Sequence, residues 1–397
     1  MNPAYSLCLV VGLLVLFWFY AWLGLRLSTP VAAAESPRRF VSIDGLRGFL
    51  ALTVFVHHAF CTRIWYTKGT WGTDGNRVIL QAGWEPVTLF FFITGFLFWT
   101  KLQREPRLAF IPHLRSRLLR LGPAYWAAIA VLLLVVAVRS GGRLNVPVNS
   151  LLRSIGDWGF FTIPGRPDVN GLANTRDIIA NVPWTLALEW MFYLLVPFVG
   201  WFASGVFRTV LFLGLVYVAL QTLMWDYAIL LLPGTVRSLA LQTAYHLTRT
   251  FAGGILLAAM LPWLQTRLGR VDFKHPVFSG ASLGGVLGVL LFADPVYAFR
   301  QSVPLLIPFA LIALGNDWFG ILSSAPSQFL GRISYSLYLV HGLVLHIVFL
   351  ALNRFFPVST IAPPVYWLSI ALLGAVVILT AEHWFRWFEA PFISKRR

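Results

Sequence analysis

The sequence predicts an all-α protein, a polytopic bundle of about eleven transmembrane helices. The 397 residues are 58% hydrophobic and only 12% charged, about half the charged share of an ordinary soluble domain, which excludes a water-soluble enzyme. Aromatic residues make up 16% of the chain, as expected where many segments cross membrane–water interfaces. The apolar segments are continuous runs rather than the alternating segments of a strand barrel, and this indicates helices.

Eleven apolar segments approach the roughly 20 residues that a helix needs to cross a bilayer. They are residues 4–25, 41–61, 84–100, 119–138, 182–203, 206–224, 237–262, 276–292, 301–316, 333–352 and 364–386. The eighth and ninth are short and give the weakest signal. The first segment forms an extra N-terminal unit, residues 1–35, and residues 36–397 form the main membrane domain.

The first segment has two interpretations, a retained helix or a signal peptide. Ala32, Ala33 and Ala34 follow the apolar run and resemble a small-residue cleavage site. However, no Lys or Arg precedes the run, and the run is longer than a usual signal core. These two departures favour a retained helix.

The basic residues predict the orientation. Lys and Arg number 31 against 15 Asp and Glu, a net charge of +16. In a soluble chain that surplus would suggest a nucleic-acid partner, but in a membrane chain it indicates cytoplasmic loops and anionic lipid headgroups. An external N-terminus and a cytoplasmic C-terminus put more of the loop cations inside, most clearly in the short segment 101–118. We therefore expect an integral membrane protein with lipid contacts and no nucleic-acid partner.

Residues 139–181 are the long connection of the chain. This segment is rich in Gly and Pro, so we expect mostly turns and loop. It is also longer than an idle connector. On the predicted topology it is extracytoplasmic, and it is either a lid that binds an acceptor or a plain surface loop.

Several kinds of chemistry have no support in the sequence. Two cysteines cannot form a disulfide framework or a thiolate metal site. The chain has no Walker A loop, dinucleotide fingerprint, HExxH or paired CxxC motif. We therefore expect neither nucleotide hydrolysis nor a bound metal.

Arg47 and His58 are the first candidates for function, because an ionisable side chain inside a membrane span is costly unless it is paired or wet. They are eleven residues apart, which places both on one stripe of a helix, about 16 Å apart along its axis. Arg47, towards the cytoplasmic end, could hold an anionic donor. His58, towards the outer end, could take a proton from a hydroxyl group.

Structural roles for these residues are also possible. Arg47 could extend to the lipid headgroups or pair with Asp44, and His58 could make a hydrogen bond at the interface. His57 points about 100° away from His58 and is expected to be structural.

Glu189 and His341 are further buried candidates. Glu189 stands in an apolar, aromatic helix, where its carboxylate could orient a histidine, bind a substrate hydroxyl or simply pair with a buried arginine. His341 could line a donor channel near Arg47 or make an interhelical hydrogen bond.

A third group is the basic loop that contains Arg115, Arg117 and Arg120. It could bind nucleotide phosphates, although the positive-inside rule alone would also place cations there. Many spans with buried ionisable groups would equally suit a membrane transporter, or an exporter of acylated glycans without its own catalysis. No inverted repeat supports that alternative.

Together these residues resemble the acyltransferase-3 family of integral membrane acyltransferases. The matching pieces run in order over residues 40–392: Ser42 to Arg47 with His58 in an Arg-x10-His spacing, Leu89 to Leu97, Arg115 to Arg120 with Pro123, Trp184 to Tyr193, Ile333 to His341, and Phe388 to Phe392. Thr94 and Thr185 stand where the family often has Ser, and both keep a hydroxyl. The segment 4–25 is extra to the family's usual ten helices.

The resemblance implies transfer of an acyl group, most often acetyl, from cytoplasmic acyl-CoA to a hydroxyl of an extracytoplasmic carbohydrate or glycolipid, such as a surface polysaccharide or an O-antigen sugar. It implies a bacterial inner membrane as the location. It also makes Arg47 and His58 the essential pair. The resemblance puts the basic residues Arg115, Arg117 and Arg120 near the donor. It adds Glu189 as a catalytic candidate and His341 as a donor-binding candidate.

Overall fold

The computed structural model describes residues 2–27, 40–225, 245, 250–293 and 298–394. Every regular element within these ranges is helical. The α-helices are α1 Pro3–Leu27, α2 Val41–Lys68, α3 Arg77–Arg104, α4 Phe110–Arg139, α5 Val148–Gly159, α6 Trp184–Leu195, α7 Val206–Trp225, α8 Ala252–Leu268, α9 Pro276–Phe292, α10 Ala298–Ala313, α11 Ala325–Phe355, α12 Pro363–Phe388 and α13 Ala390–Ser394.

The helices form the bundle of an integral membrane protein. Among the described residues, five are long and apolar enough to cross a membrane, and they are α1, α3, α4, α11 and α12. The 28-residue helix α2 is as long as α3, but it carries Arg47 and the two histidines. These observations confirm the predicted fold class. Residues 237–244 and 246–249 of one predicted span lie outside the described part of the chain.

The segment 182–203 is not one continuous helix. Helix α6 ends at Leu195, and two short 3-10 helices follow, Val196–Phe198 and Gly200–Ala203. Pro197 explains the break, because proline has no N–H to donate and its ring clashes with the carbonyl one turn earlier. The apolar pattern continues past residue 195 even though the α-helix does not.

Helices α2 and α11 form the centre of the bundle, and glycines let their backbones touch. A Cβ at Gly331 would overlap the backbone of Asp44, and a Cβ at Gly48 would overlap Leu330. Small residues permit this close approach between membrane helices. Because Gly48 follows Arg47 directly, the same contact fixes the position of the Arg47 backbone.

Replacing Gly331 with alanine is expected to destabilise the bundle, because the new methyl group can be accommodated only by moving α2 away from α11. Overpacking of this kind costs about 1–3 kcal/mol, measurable as a lower melting temperature of the detergent-purified protein. The control is Gly280→Ala on α9, where a Cβ meets no atom within 4 Å. Equal melting temperatures for the two variants would contradict the proposed contact.

The N-terminal helix α1 packs onto the rest of the bundle. Phe17 is fully buried, and its ring lies where a Cβ on Gly374 of α12 would be. The Trp18 indole donates a hydrogen bond to the Ser327 hydroxyl at 3.1 Å. The alanines 32–34 of the alternative cleavage site lie outside the described residues.

The connection 139–181 contains more regular structure than its Gly and Pro content indicates. It holds α5 and the 3-10 helix Thr175–Ile179. Trp158 is fully buried, and its carbonyl accepts a hydrogen bond from the Tyr125 hydroxyl of α4 at 2.6 Å. A Cβ on Gly342 of α11 would overlap the backbone at Ile179, so the connection packs directly against the helix that carries His341.

Candidate active site

Arg47 and His58 both lie on the continuous helix α2, but they face two different cavities. We call the space around Arg47 the arginine cavity and the space around His58 the histidine cavity. At 1.5 Å of rise per residue their backbones are about 16 Å apart along α2. The stripe therefore runs along two cavities within the bundle.

The arginine cavity has a volume of about 130 Å³ and combines three guanidinium groups with aromatic side chains. Its lining residues include Arg47, Arg117, Arg120, Glu189, Phe90, Phe91, Phe98, Tyr193, Tyr335 and Tyr338. They come from α2, α3, α4, α6 and α11. Three cations against one carboxylate give the cavity a positive balance that suits an anionic ligand.

The polar groups of this cavity differ in how well they are satisfied. Glu189 accepts a hydrogen bond of 2.6 Å from the Tyr193 hydroxyl, and the Arg117 guanidinium lies 5.1 Å from the centre of the Phe98 ring. No residue in the described part of the chain makes a hydrogen bond or an ion pair with the Arg47 side chain. The alternative in which Arg47 pairs with Asp44 is not what the structure shows, and the Arg47 guanidinium is left open to a ligand.

Arg115 does not lie in the arginine cavity with Arg117 and Arg120. It is exposed and does not line the arginine cavity. Arg117 and Arg120 are three positions apart and share a face of α4, whereas Arg115 is two positions before Arg117, about 200° around the helix. The helical period alone could have separated Arg115 from the other two.

The histidine cavity is larger, about 360 Å³, and is lined partly by the connection 139–181. His58 lines this cavity and contacts His341, with His58 Nδ1 at 2.9 Å from His341 Nε2. The second ring nitrogen of His341, Nδ1, lies 3.0 Å from the carbonyl oxygen of Leu337. His341 is fully buried and lies behind His58, not beside Arg47.

These contacts determine which nitrogen of each ring carries the proton. A carbonyl oxygen can only accept, so His341 Nδ1 donates to Leu337, and His341 Nε2 of the neutral ring is an acceptor. His58 Nδ1 must therefore donate to it. This leaves His58 Nε2 without a proton, in the state that a general base requires.

His57 has different partners, as its position on the helix predicts. Its Nδ1 lies 2.7 Å from the carbonyl oxygen of Ile79, and its Nε2 lies 3.6 Å from the Cys61 sulfur. The ring also fills the space beside Gly83, where a Cβ would overlap it. These contacts tie α2 to α3 and give His57 a packing role at the edge of the histidine cavity.

The two cavities meet at Val87 and Tyr338, which line both of them. The Tyr338 hydroxyl lies 3.1 Å from the Thr185 hydroxyl, and the Thr185 hydroxyl donates to the carbonyl of Val182 at 3.3 Å. Sequence reasoning missed Tyr338. The available signal was that it stands three residues before His341, on the same face of α11.

Arg166 of the connection also lines the histidine cavity, and it too was not anticipated. Its guanidinium donates a hydrogen bond to the side-chain oxygen of Asn181. Burial lowers the pKa of Arg166, and the neighbouring positive charge of Arg176 acts in the same direction. The connection thus adds a cation to the cavity that contains His58.

Comparison with known proteins identifies a family for this fold. The model of the acyltransferase-3 family, described as an acyltransferase domain, matches residues 40–383. A protein of Staphylococcus aureus strain COL that carries the provisional name O-acetyltransferase is 25% identical over 381 residues, covering 89% of this chain and 57% of that protein. O-acetyltransferase OatA of S. aureus strain NCTC 8325 is 25% identical over 383 residues, covering 91% of this chain and 58% of OatA. The chain therefore spans less than two thirds of the length of these relatives. No solved structure matches it.

Proposed function

This chain belongs to the acyltransferase-3 family, and on that premise we propose that it moves an acetyl group from cytoplasmic acetyl-CoA to a hydroxyl of an extracytoplasmic carbohydrate or glycolipid. The observation that carries the proposal is the pair of cavities that meet at Tyr338 and Val87. One offers cations for a donor and the other offers a base for an acceptor. Surface polysaccharides and O-antigen sugars are the acceptor class proposed, and a bacterial inner membrane is the location proposed.

The donor binds in the arginine cavity, which lies nearer the cytoplasm than the histidine cavity does when the N-terminus is outside. Arg47, Arg117 and Arg120 contact the phosphate groups, since guanidinium groups pair well with phosphate. The aromatic rings of the cavity pack against the thioester arm. Arg115, on the other face of α4, contributes only to the local positive potential.

The acceptor binds in the histidine cavity with its hydroxyl at His58 Nε2. This nitrogen takes the hydroxyl proton, and the oxygen attacks the thioester carbonyl, forming the new C–O bond. The C–S bond then breaks, and the proton on His58 passes to the departing thiolate to give free CoA. His341 holds the His58 ring in the required tautomer and orientation, a positioning role rather than a direct one.

Tyr338 is proposed to stabilise the carbonyl oxygen during the attack, because its hydroxyl lies where the two cavities adjoin. Replacing Tyr338 with phenylalanine is expected to lower kcat by about 100-fold, the cost of losing one donor to an oxyanion. The affinity for acetyl-CoA should change little. Steady-state transfer assays and a binding assay on the same preparation check this.

Tyr20→Phe on α1 is the control for the tyrosine change, because Tyr20 lines neither cavity. If Tyr338→Phe kept the wild-type kcat, Tyr338 would have no role in the mechanism. The proposed roles of Arg47 and His58 would not be affected by that result.

The test of the proposed function is transfer by the purified protein in sealed vesicles, with acetyl-labelled acetyl-CoA supplied from one side and membrane glycolipid available on the other. The expected products are an acetyl ester on the glycan and free CoA on the donor side. A transporter would instead move its substrate unchanged and form no new ester. Absence of both acetyl-CoA binding and ester formation by well-folded protein would overturn the proposal.

A further inference from the structure

A third cavity lies beyond the histidine cavity and has no part in the chemistry derived above. It has a volume of about 180 Å³ and is lined by the C-terminal part of α2, the end of α4, the connection 139–181 and the C-terminal half of α11. We call it the aspartate cavity, after Asp177. It shares Trp71 and Ala180 with the histidine cavity, so a ligand long enough to pass Trp71 would occupy both.

One buried polar atom of the aspartate cavity lacks a hydrogen-bond partner, and a carboxylate of the same cavity has one long ion pair. His346 Nε2 is buried without a hydrogen-bond partner. The Asp177 side chain is only 13% exposed, and its nearest cation is Arg176 Nε at 3.8 Å. Burial raises the pKa of Asp177. A buried polar atom left unsatisfied is costly, so His346 Nε2 is available to bind a ligand in the cavity.

The other side chains of the cavity are suited to a flat polyhydroxy ligand. Trp65, Tyr66 and Trp71 contribute aromatic rings, which offer large, rigid surfaces for the C–H faces of a sugar ring. A carboxylate accepts hydrogen bonds from hydroxyl groups, and an imidazole N–H donates to them. A few convergent polar groups in an otherwise aromatic cavity are typical of a small-molecule site.

We propose that the aspartate cavity binds the second sugar unit of the acceptor, so that the substrate is a glycan of at least two units rather than a single sugar. This inference rests on the proposed function. The sugar to be acetylated lies at His58, and its neighbour lies beyond Trp71, whose ring is 6.2 Å from the His58 ring. Arg139 also lines the cavity, but the Asp177 carboxylate opposes an anion there and favours a neutral ring.

The test measures transfer to fragments of one, two and three sugar units, prepared by partial hydrolysis of the glycan that the wild-type protein acetylates. For wild type, kcat/KM is expected to be at least tenfold higher for the two-unit fragment than for the one-unit fragment. Asp177→Asn and His346→Gln should each reduce that advantage to about twofold and leave the one-unit rate unchanged. Equal kcat/KM for one and two units in the wild type would overturn the inference.

Matched controls make the same substitutions at positions that line none of the cavities. Asp157→Asn on α5 changes a carboxylate that lines none of the three cavities, and His383→Gln on α12 changes an exposed histidine. Both should keep the two-unit advantage. An equal reduction of kcat/KM for the one-unit and the two-unit fragments in Asp177→Asn is the other result to consider. That result would also contradict the proposal, because the aspartate cavity would then only support the shape of the histidine cavity. If the wild type acetylated no glycan at all, the proposed function itself would have failed, and a measurement of acetyl-CoA binding would show whether the donor half had failed.

Discussion

Replacing His58 with glutamine is expected to reduce acetyl transfer by about 100- to 10,000-fold, the usual contribution of a general base. Glutamine can still donate a hydrogen bond to His341 Nε2, so the packing around the site should persist. It has no nitrogen that can take up the acceptor proton. Transfer of labelled acetyl from acetyl-CoA, together with acetyl-CoA binding by the same preparation, measures the two effects separately.

The affinity for acetyl-CoA should remain within about twofold of wild type, because His58 does not line the arginine cavity. His383→Gln is the control for the substitution. Its Nδ1 lies 2.8 Å from the carbonyl oxygen of Leu379, the same contact with the preceding turn that His341 makes, but its side chain is exposed. Undiminished transfer by His58→Gln would exclude His58 as the base.

His341→Gln separates positioning from proton transfer. The hydrogen bond from His58 at 2.9 Å selects the tautomer, so its loss should lower kcat by roughly 10- to 100-fold and leave the KM values unchanged. The pH profile of kcat should also change, because His58 would no longer be held in one tautomer. A merely structural role would lower the amount of folded protein without altering the pH profile.

The kinetics distinguish this mechanism from a relay through an acetylated His58. A relay gives ping-pong kinetics and hydrolyses acetyl-CoA slowly when no acceptor is present. Direct attack by the acceptor requires both substrates at once. The adjoining cavities favour direct attack, because the thioester and the hydroxyl can meet at Tyr338 without an intermediate carrier.

Local patterns in the sequence were enough to predict the membrane bundle and the common stripe of Arg47 and His58. Each depends on residues within one helix, where the spacing determines the face. The pairing of His58 with His341 could not be predicted in this way, because 283 positions separate them in the chain. Only the packing of α2 against α11, which depends on the glycine contacts, brings the two rings together.

The two cavities illustrate the same limit. Spacing placed Arg47 and His58 on one stripe, but it could not show that the two residues face different cavities or that Val87 and Tyr338 line both of them. The Gly and Pro content of the connection 139–181 predicted mostly turns and loop. The buried Trp158 and the short helices that pack on α4 and α11 depend on contacts with distant residues.

Replacing Arg47 with alanine is expected to weaken acetyl-CoA binding by about 10- to 150-fold. This range corresponds to the 1.5–3 kcal/mol of a hydrogen bond to a charged group. The expectation follows from the guanidinium lying in the arginine cavity with no hydrogen-bond or ion-pair partner in the described residues. Arg47→Lys should recover only part of the affinity, since an ammonium group cannot bind phosphate in the bidentate manner.

Arg115→Ala provides the matched comparison, because it removes an identical charge from the exposed face of α4. If the arginine cavity is the donor site, Arg115→Ala should weaken binding by about twofold at low salt and less at high salt, as expected for a screened surface charge. The loss of acetyl-CoA affinity in Arg47→Ala should persist at high salt, because the contact between Arg47 and the donor phosphate is shielded from solvent ions. Equal, salt-sensitive losses in the two variants would mean that the cations only attract the donor to the membrane surface, and the donor site would then have to be sought elsewhere in the bundle.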